Sequence, residues 1–297
     1  MLCLERLIVT SVVCLVAALN TINVARAESV SLKPWEVRIS TPAYQPAFSD
    51  FEPPLGTYTF DVGWQGIPAA EITLNVEQEG LDYRIVAEAR TLSGIDLIYK
   101  LRYRGEGWIS AVDLSPVKSV VYERENSREK RTELKYRDDG AVETARTKNG
   151  EPTEHFSFKP ENAMLEPFSA AFLARSLPWD AGTERKFDTF NGKTRYLITL
   201  KCVGKETIRV AGEQREAWVI EPAVANLTAP DTNSKLRSAQ IYLSTDNRKE
   251  ILKIVSSVFI GSVTTKLAEF KPSPNATSPG VVALRATGAT EMRARLQ

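Results

Sequence analysis

From residue 57 onward, apolar and polar side chains alternate. Tyr58, Phe60, Val62 and Trp64 interleave with Thr57, Thr59, Asp61 and Gly63. Ile72, Leu74 and Val76 alternate with Thr73 and Asn75, and Tyr83, Ile85 and Ala87 with Arg84, Val86 and Glu88. Successive strand side chains point to opposite faces, so each run offers one apolar face to a core. Tyr99, Leu101 and Tyr103 continue the pattern, with Lys100, Arg102 and Arg104 on the other face. Further strands are predicted at 117–125, 130–137 and 141–148. Glu79-Gly80, Asp139-Gly140, Asn149-Gly150 and Asn191-Gly192 place a glycine where a tight hairpin needs positive φ. Short strands separated by such turns predict a mainly β fold: a curved antiparallel sheet or an open, barrel-like meander.

One segment breaks the period of two. Glu166-Pro167 starts a helix, with proline at the first helical position, where its missing N–H costs nothing. Phe168, Ala171, Phe172 and Arg175 follow at helical spacing, and Pro178 ends the element. One short central helix is therefore expected near 166–177, joining β-rich halves at 55–160 and 179–271. Alternation resumes with Tyr196, Ile198, Leu200 and Cys202, then Ala217, Val219 and Glu221 opposite Trp218 and Ile220. Ile241 and Leu243, Ile251 to Phe259 and Val263 to Phe270 complete the set, with a turn at Asp246-Asn247.

The ends differ in composition. Residues 28–54 carry Pro34, Pro42, Pro46, Pro53 and Pro54, which cannot donate to a β ladder, and read as a proline-rich leader. Residues 272–297 read as a disordered tail of small residues, proline and arginine. At the start, Arg6 precedes a largely apolar run from Leu7 to Leu19, and Ala25-Arg26-Ala27 supplies a small-x-small cleavage pattern. The run is shorter than the roughly 20 apolar residues a bilayer span needs. The expectation is a signal peptide at 1–27, cleaved after Ala27, and a periplasmic location. Removing it takes Cys3 and Cys14 and leaves Cys202 alone, so an internal disulfide is excluded. It also takes Arg6, Arg26 and Glu5 from totals of 38 basic and 37 acidic residues, which leaves a formally neutral chain. Nucleic-acid binding, which leaves a basic footprint, gains no support.

Candidate chemistry is sparse. His155 is the only histidine and has no nucleophile signature around it. One histidine and one remaining cysteine cannot build a His/Cys metal site. Neither a glycine-rich phosphate loop nor a G-x-S-x-G elbow is present. No catalytic residue, metal or cofactor is therefore assigned. Cys202 shares its face with Tyr196, Ile198 and Leu200 and reads as a buried, inert thiol. The tryptophans Trp64, Trp108, Trp179 and Trp218 read mainly as core, and Arg102 with Arg104, and Arg128 with Lys130 and Arg131, as solvated strand faces.

Residues 55–271 resemble the bacterial envelope family called domain of unknown function 3108. The likeness runs through Gly56-Thr57-Tyr58-Thr59-Phe60-Asp61-Val62, Gly66-Ile67-Pro68-Ala69-Ala70 and Glu166-Pro167-Phe168-Ser169. It continues with Leu173 to Ser176, Gly182, Gly204-Lys205-Glu206-Thr207, Ile241 to Asp246 and Gly261 to Leu267. Ala70 departs from the family pattern, where glycine is usual. The resemblance implies an envelope location and a curved antiparallel sheet with a helix packed on it, and it carries no catalytic residues. Such sheets are similar to open-barrel carriers of lipids and lipoproteins, a likeness of fold alone. The function expected is a non-catalytic binder or carrier of a hydrophobic or lipid-like ligand, lined by Tyr58, Phe60, Trp64, Phe168 and Phe172. The partner would be a lipid or a lipidated protein. The alternative is a structural or adaptor protein in envelope or polysaccharide assembly, docking an envelope protein through its sheet edges or its ends.

Overall fold

The computed structural model describes residues 32–39, 43, 46, 49–229, 236–258 and 261–274. The expected signal peptide and nearly all of the expected tail lie outside them. In chain order the elements are β1 (Gly56–Trp64), β2 (Ile67–Glu79), β3 (Asp82–Thr91), α1 (Ser93–Asp96), β4 (Leu101–Ser110), β5 (Pro116–Glu125), β6 (Arg128–Tyr136), β7 (Val142–Lys148) and β8 (Glu154–Phe158). Then come α2 (Pro167–Ser176), β9 (Glu184–Phe190), β10 (Arg195–Val210), β11 (Glu213–Asn226), β12 (Leu236–Ser244), β13 (Ile251–Val258) and β14 (Ser262–Pro272).

The fourteen strands form one antiparallel sheet in the order β8-β7-β6-β5-β4-β3-β2-β1-β14-β13-β12-β11-β10-β9. Consecutive strands pair throughout except β8 and β9, and at the centre β1 pairs with β14, Tyr58 opposite Phe270. Two meanders are thus joined through the first and last strands, and β8 and β9 are left as the two edges. The turns the sequence marked all hold: Gly80, Gly140, Gly150 and Gly192 have positive φ. The helix is found where expected. Strand β9 and the single turn α1 were not anticipated, because β9 has no clean alternation and α1 has only four residues.

The sheet curls until its edges meet through side chains. Phe190 on β9 lies 5.4 Å from Phe158 and 6.2 Å from Phe156 on β8, both edge-on. Leu134, Val142 and Met164 fill in around them. Past β8 the chain makes a parallel bridge from Leu165 to Thr189, which covers part of the β9 edge. An unpaired edge is an aggregation hazard, and this bridge blunts it. The expected leader contributes as well. Trp35 packs at a tilt against Phe156, ring centres 5.7 Å apart, and Arg195 Nη1 donates to the Val37 carbonyl at 3.1 Å. Arg195 also grips Asp188 through Nε at 2.9 Å, both side chains being buried. The pieces of the 28–54 segment that are described therefore pack on the barrel.

The helix α2 crosses the interior rather than lying outside. Every residue from Pro167 to Arg175 is buried. Strand β4 makes room for it. A Cβ on Gly107 would lie 2.5 Å from Phe168 Cδ2, and one on Gly105 would lie 2.9 Å from Phe168 Cζ. Glycine within a strand marks a close approach of this kind. The helix start sits beside β9, and its end reaches the β12–β13 turn. We call the rim holding the β1–β2, β5–β6, β7–β8 and β9–β10 turns the upper rim, and the opposite one the lower.

Candidate functional site

The five aromatics expected to line a ligand site do not share one open surface. Tyr58, Phe60, Phe168 and Phe172 are buried in the main core, and Trp64 is half-buried at its margin. Tyr58 packs against Phe270 at 4.4 Å, and Phe168 fills the gap over Gly105 and Gly107. With α2 and its Phe168 and Phe172 in place, the inward face of the sheet at Tyr58 and Phe60 is buried in the core.

The opening lies at the lower rim, where α2 ends. A half-open cleft of about 620 Å³ is lined by Phe51, Leu173, Leu177 and Pro178, and by Ser49, Asp50, Glu52, Ser176, Asn247 and Lys249. That size falls within the 300–1,000 Å³ range usual for small-molecule sites. Three parts of the chain build it. The proline-rich segment before β1 brings residues 49–52, held by Ser49 N–H donating to the Val112 carbonyl at 3.0 Å. Helix α2 brings Leu173 to Leu177. The β12–β13 turn brings Asn247 and Lys249. Sequence reading missed this site because residues 49–52 lie in the coil before the first strand; the signal was Phe51, an aromatic stranded just ahead of Pro53-Pro54.

Arg175 ties the three parts together. Its Nε donates to the Lys249 carbonyl at 2.7 Å and its Nη2 to the Arg248 carbonyl at 3.3 Å. The guanidinium lies over Phe172 at 4.8 Å and Phe51 at 5.4 Å, an arrangement the ring quadrupoles favour. Burial lowers the Arg175 pKa, opposed by Tyr58 and Glu250. Burial likewise raises Tyr58, with Arg175 opposing. Behind it, buried Glu250 accepts from Arg215 Nη1 and Arg248 Nη2, both at 2.7 Å, so the turn is braced by paired charges.

At the other end of α2 the cap is closed. The Glu166 carboxylate accepts from Phe168 N at 2.9 Å and Ser169 N at 2.6 Å, and Ser169 Oγ accepts from Glu166 N at 3.1 Å. This is a capping box with acid and hydroxyl exchanged. Burial pushes Glu166 up to about 7 against those two hydrogen bonds.

Other candidates fall apart in space. His155 is exposed on the edge strand β8. Cys202 is buried, and desolvation raises its pKa. Trp179 is buried and donates to the Ala174 carbonyl at 2.9 Å, closing the end of α2. Trp108 and Trp218 lie under Lys118 and Lys205 at 3.9 and 4.4 Å. Arg102 is engaged by Asp96, and Arg104 by Glu88 and Glu106. Lys130 departs from expectation: it faces inward beside Glu123, while Arg131 faces out. Among the described residues no group of three or more His, Cys, Asp or Glu could hold a metal ion, and no helix is long and apolar enough to cross a membrane.

A single antiparallel sheet curled around a buried helix defines a β-barrel-like protein. The model of the family described as protein of unknown function (DUF3108) matches residues 59–268, and the chain belongs to that family. Among curated proteins nothing matches. Among solved structures, the chain is similar to a β-barrel-like protein of domain of unknown function DUF1849 from Brucella abortus, at 10% identity. That match has a TM-score of 0.50 and covers 74% of this chain and 97% of the other. An exported protein with a YmcC-like fold from Bacteroides fragilis matches at 9% identity and a TM-score of 0.33, over 76% of this chain and 100% of its own. A lipoprotein from Parabacteroides distasonis matches at 9% identity and a TM-score of 0.30, with the same coverages. The first likeness extends to fold alone.

Proposed function

We propose that the protein is an exported, non-catalytic binder of an amphiphilic, lipid-like ligand, and that the ligand enters at the lower-rim cleft. One observation carries this reading: the cleft lining combines the apolar Phe51, Leu173, Leu177 and Pro178 with the polar Asp50, Glu52, Asn247 and Lys249. A molecule with an apolar body and a charged or hydroxylated end matches both parts. The expected lining is taken up by the core instead: α2 carries Phe168 and Phe172 into it, Tyr58 and Phe60 are buried there, and Trp64 is half-buried at its margin, so the ligand is met at the cleft. Export draws its support from the apolar run at Leu7 to Leu19 followed by Ala25-Arg26-Ala27. The outer face of the sheet carries ion pairs such as Arg90–Glu71 at 3.1 Å and Arg84–Glu106 at 3.2 Å. A membrane-spanning barrel instead presents an apolar band there.

The test is gentle purification from the producing cell, organic extraction and mass spectrometry, followed by titration with oleate. An amphiphile near one equivalent is expected in the native protein. Asn247→Trp, at an exposed position on the cleft wall, should reduce both the bound amphiphile and oleate binding at least tenfold. Recovery of no amphiphile together with no oleate binding would contradict the reading.

A further inference from the structure

The upper rim gathers cations for which the chain supplies too few partners. On β6 and β7 the register sets Lys130 directly opposite Lys148 and Thr132 opposite Arg146. All four side chains lie on the inward face, in line with buried Leu134 and Thr144. Like charges directly opposite one another on a sheet are destabilising. The β9–β10 turn then brings a further cation. Gly192 is pressed against Thr132, with Leu134 and Thr144 also in reach of a Cβ, and Lys193 follows it. Desolvation, and after it Arg146, Lys130 and Lys148, hold the Lys193 ammonium below its ordinary pKa; Glu154 opposes them.

Three carboxylates lie on this side: Glu123 Oε2 is 3.6 Å from Lys130 Nζ, Glu154 Oε2 is 3.4 Å from Arg146 Nη1, and Glu125 is hydrogen-bonded to Glu123. Among the described residues Lys148 and Lys193 have no ion pair, and both are exposed, open to a ligand from outside.

We propose that Lys130, Arg146, Lys148 and Lys193 form a binding site for a phosphate-type oxyanion, free or as the headgroup of an anionic lipid. An oxyanion there accepts from several ammonium and guanidinium donors at once, and such charge-assisted bonds are the stronger kind. The headgroup source has a structural basis on the same rim. Leu97 is 90% exposed, Ile98 58% and Ile67 56%. Successive upper-rim loops are tied by hydrogen bonds, Asn126 N to Lys100 O at 2.8 Å and Asn149 N to Glu129 O at 2.8 Å. The apolar tips and the cations thus belong to one continuous rim. This site is at the opposite end of the barrel from the cleft and does not depend on the cleft being occupied.

The test compares the full processed chain with Lys148→Gln/Lys193→Gln, two exposed positions whose neutralisation leaves the core untouched. Inorganic phosphate is titrated by calorimetry, and vesicles of phosphatidylcholine with and without phosphatidylglycerol are used in flotation. The native protein should bind phosphate or the phosphatidylglycerol vesicles, and the double variant should bind at least tenfold more weakly. Its unfolding temperature without phosphate should be unchanged or higher, because repulsion has been removed. Phosphate binding alone identifies a free oxyanion as the ligand; loss of vesicle binding in the variant identifies a headgroup. If the native protein binds neither probe, or the double variant binds as well as the native chain, the proposal is overturned.

Discussion

Placing a methyl group on Gly107 tests whether α2 lies against β4. The Cβ of Gly107→Ala would stand 2.5 Å from Phe168 Cδ2 and 2.9 Å from Cγ, closer than carbon atoms approach. Glycine inside a strand costs about 0.5–1 kcal/mol relative to alanine, so on an open strand the change should stabilise. Overpacking a filled core costs about 1–3 kcal/mol. Here the ring belongs to a buried helix that cannot step aside freely, so a net loss of about 1–2 kcal/mol is expected. In a Phe168→Ala background, itself costing about 3–5 kcal/mol, the obstacle is gone. Gly107→Ala should then recover its intrinsic gain, giving a coupling of about 1.5–3 kcal/mol. Urea unfolding with a common m-value measures all four corners, with Phe168→Leu replacing Phe168→Ala if that variant does not fold. If Gly107→Ala stabilises equally in both backgrounds, Phe168 does not lie over β4 and the buried helix is wrong.

Glu123 and Glu166 are both pushed up to about 7, burial being the largest cause in each. The folded pKa thus lies above the unfolded one, so the folded state holds the extra protons and stability falls as pH rises from about 4.5 to 7. Glu123→Gln should remove its share of that slope, on the order of 3 kcal/mol, in urea titrations across the window; an unchanged slope would refute its burial. Asp188→Asn leaves the buried Arg195 guanidinium without a counter-charge and should cost about 3–5 kcal/mol. A loss below about 1 kcal/mol would mean that Arg195 reaches water. Cys202 should resist a thiol reagent until the protein unfolds, and reaction at the rate of a free thiol would contradict its place in the core.

Much of the fold is legible in the chain because one physical rule repeats in it. Tyr58, Phe60 and Val62 face the core while Thr57, Thr59 and Asp61 do not, and the same parity identifies β2, β3 and β4. The helix declares itself through Pro167 and Pro178. What alternation cannot convey is which strands meet at long range. Nothing in Tyr58 or Phe270 says that they pair across the centre of the sheet. Helical spacing likewise assigns Phe168 to a face of α2 without saying what that face meets. Gly105 and Gly107 carried that information, as a Gly-x-Gly step in mid-strand, but a missing side chain is a quiet signal. The cleft was hidden for a related reason. Its residues come from a coil, a helix end and a turn, and only the fold brings Phe51, Leu177 and Asn247 together. The Glu166–Ser169 cap was half visible, since Glu166-Pro167 marked the helix start but the reversed order of acid and hydroxyl concealed the box.

In the proposed function α2 stays inside the barrel, and a ligand would be met at the rims and not in an open interior. Native-state hydrogen exchange of the α2 amides from Ala170 to Ser176 measures this directly. Protection equal to that of β1 to β4, reaching the free energy of global unfolding, is the predicted result. Exchange of those amides orders of magnitude faster than the surrounding strands would show a helix that leaves the interior readily, and would contradict the account.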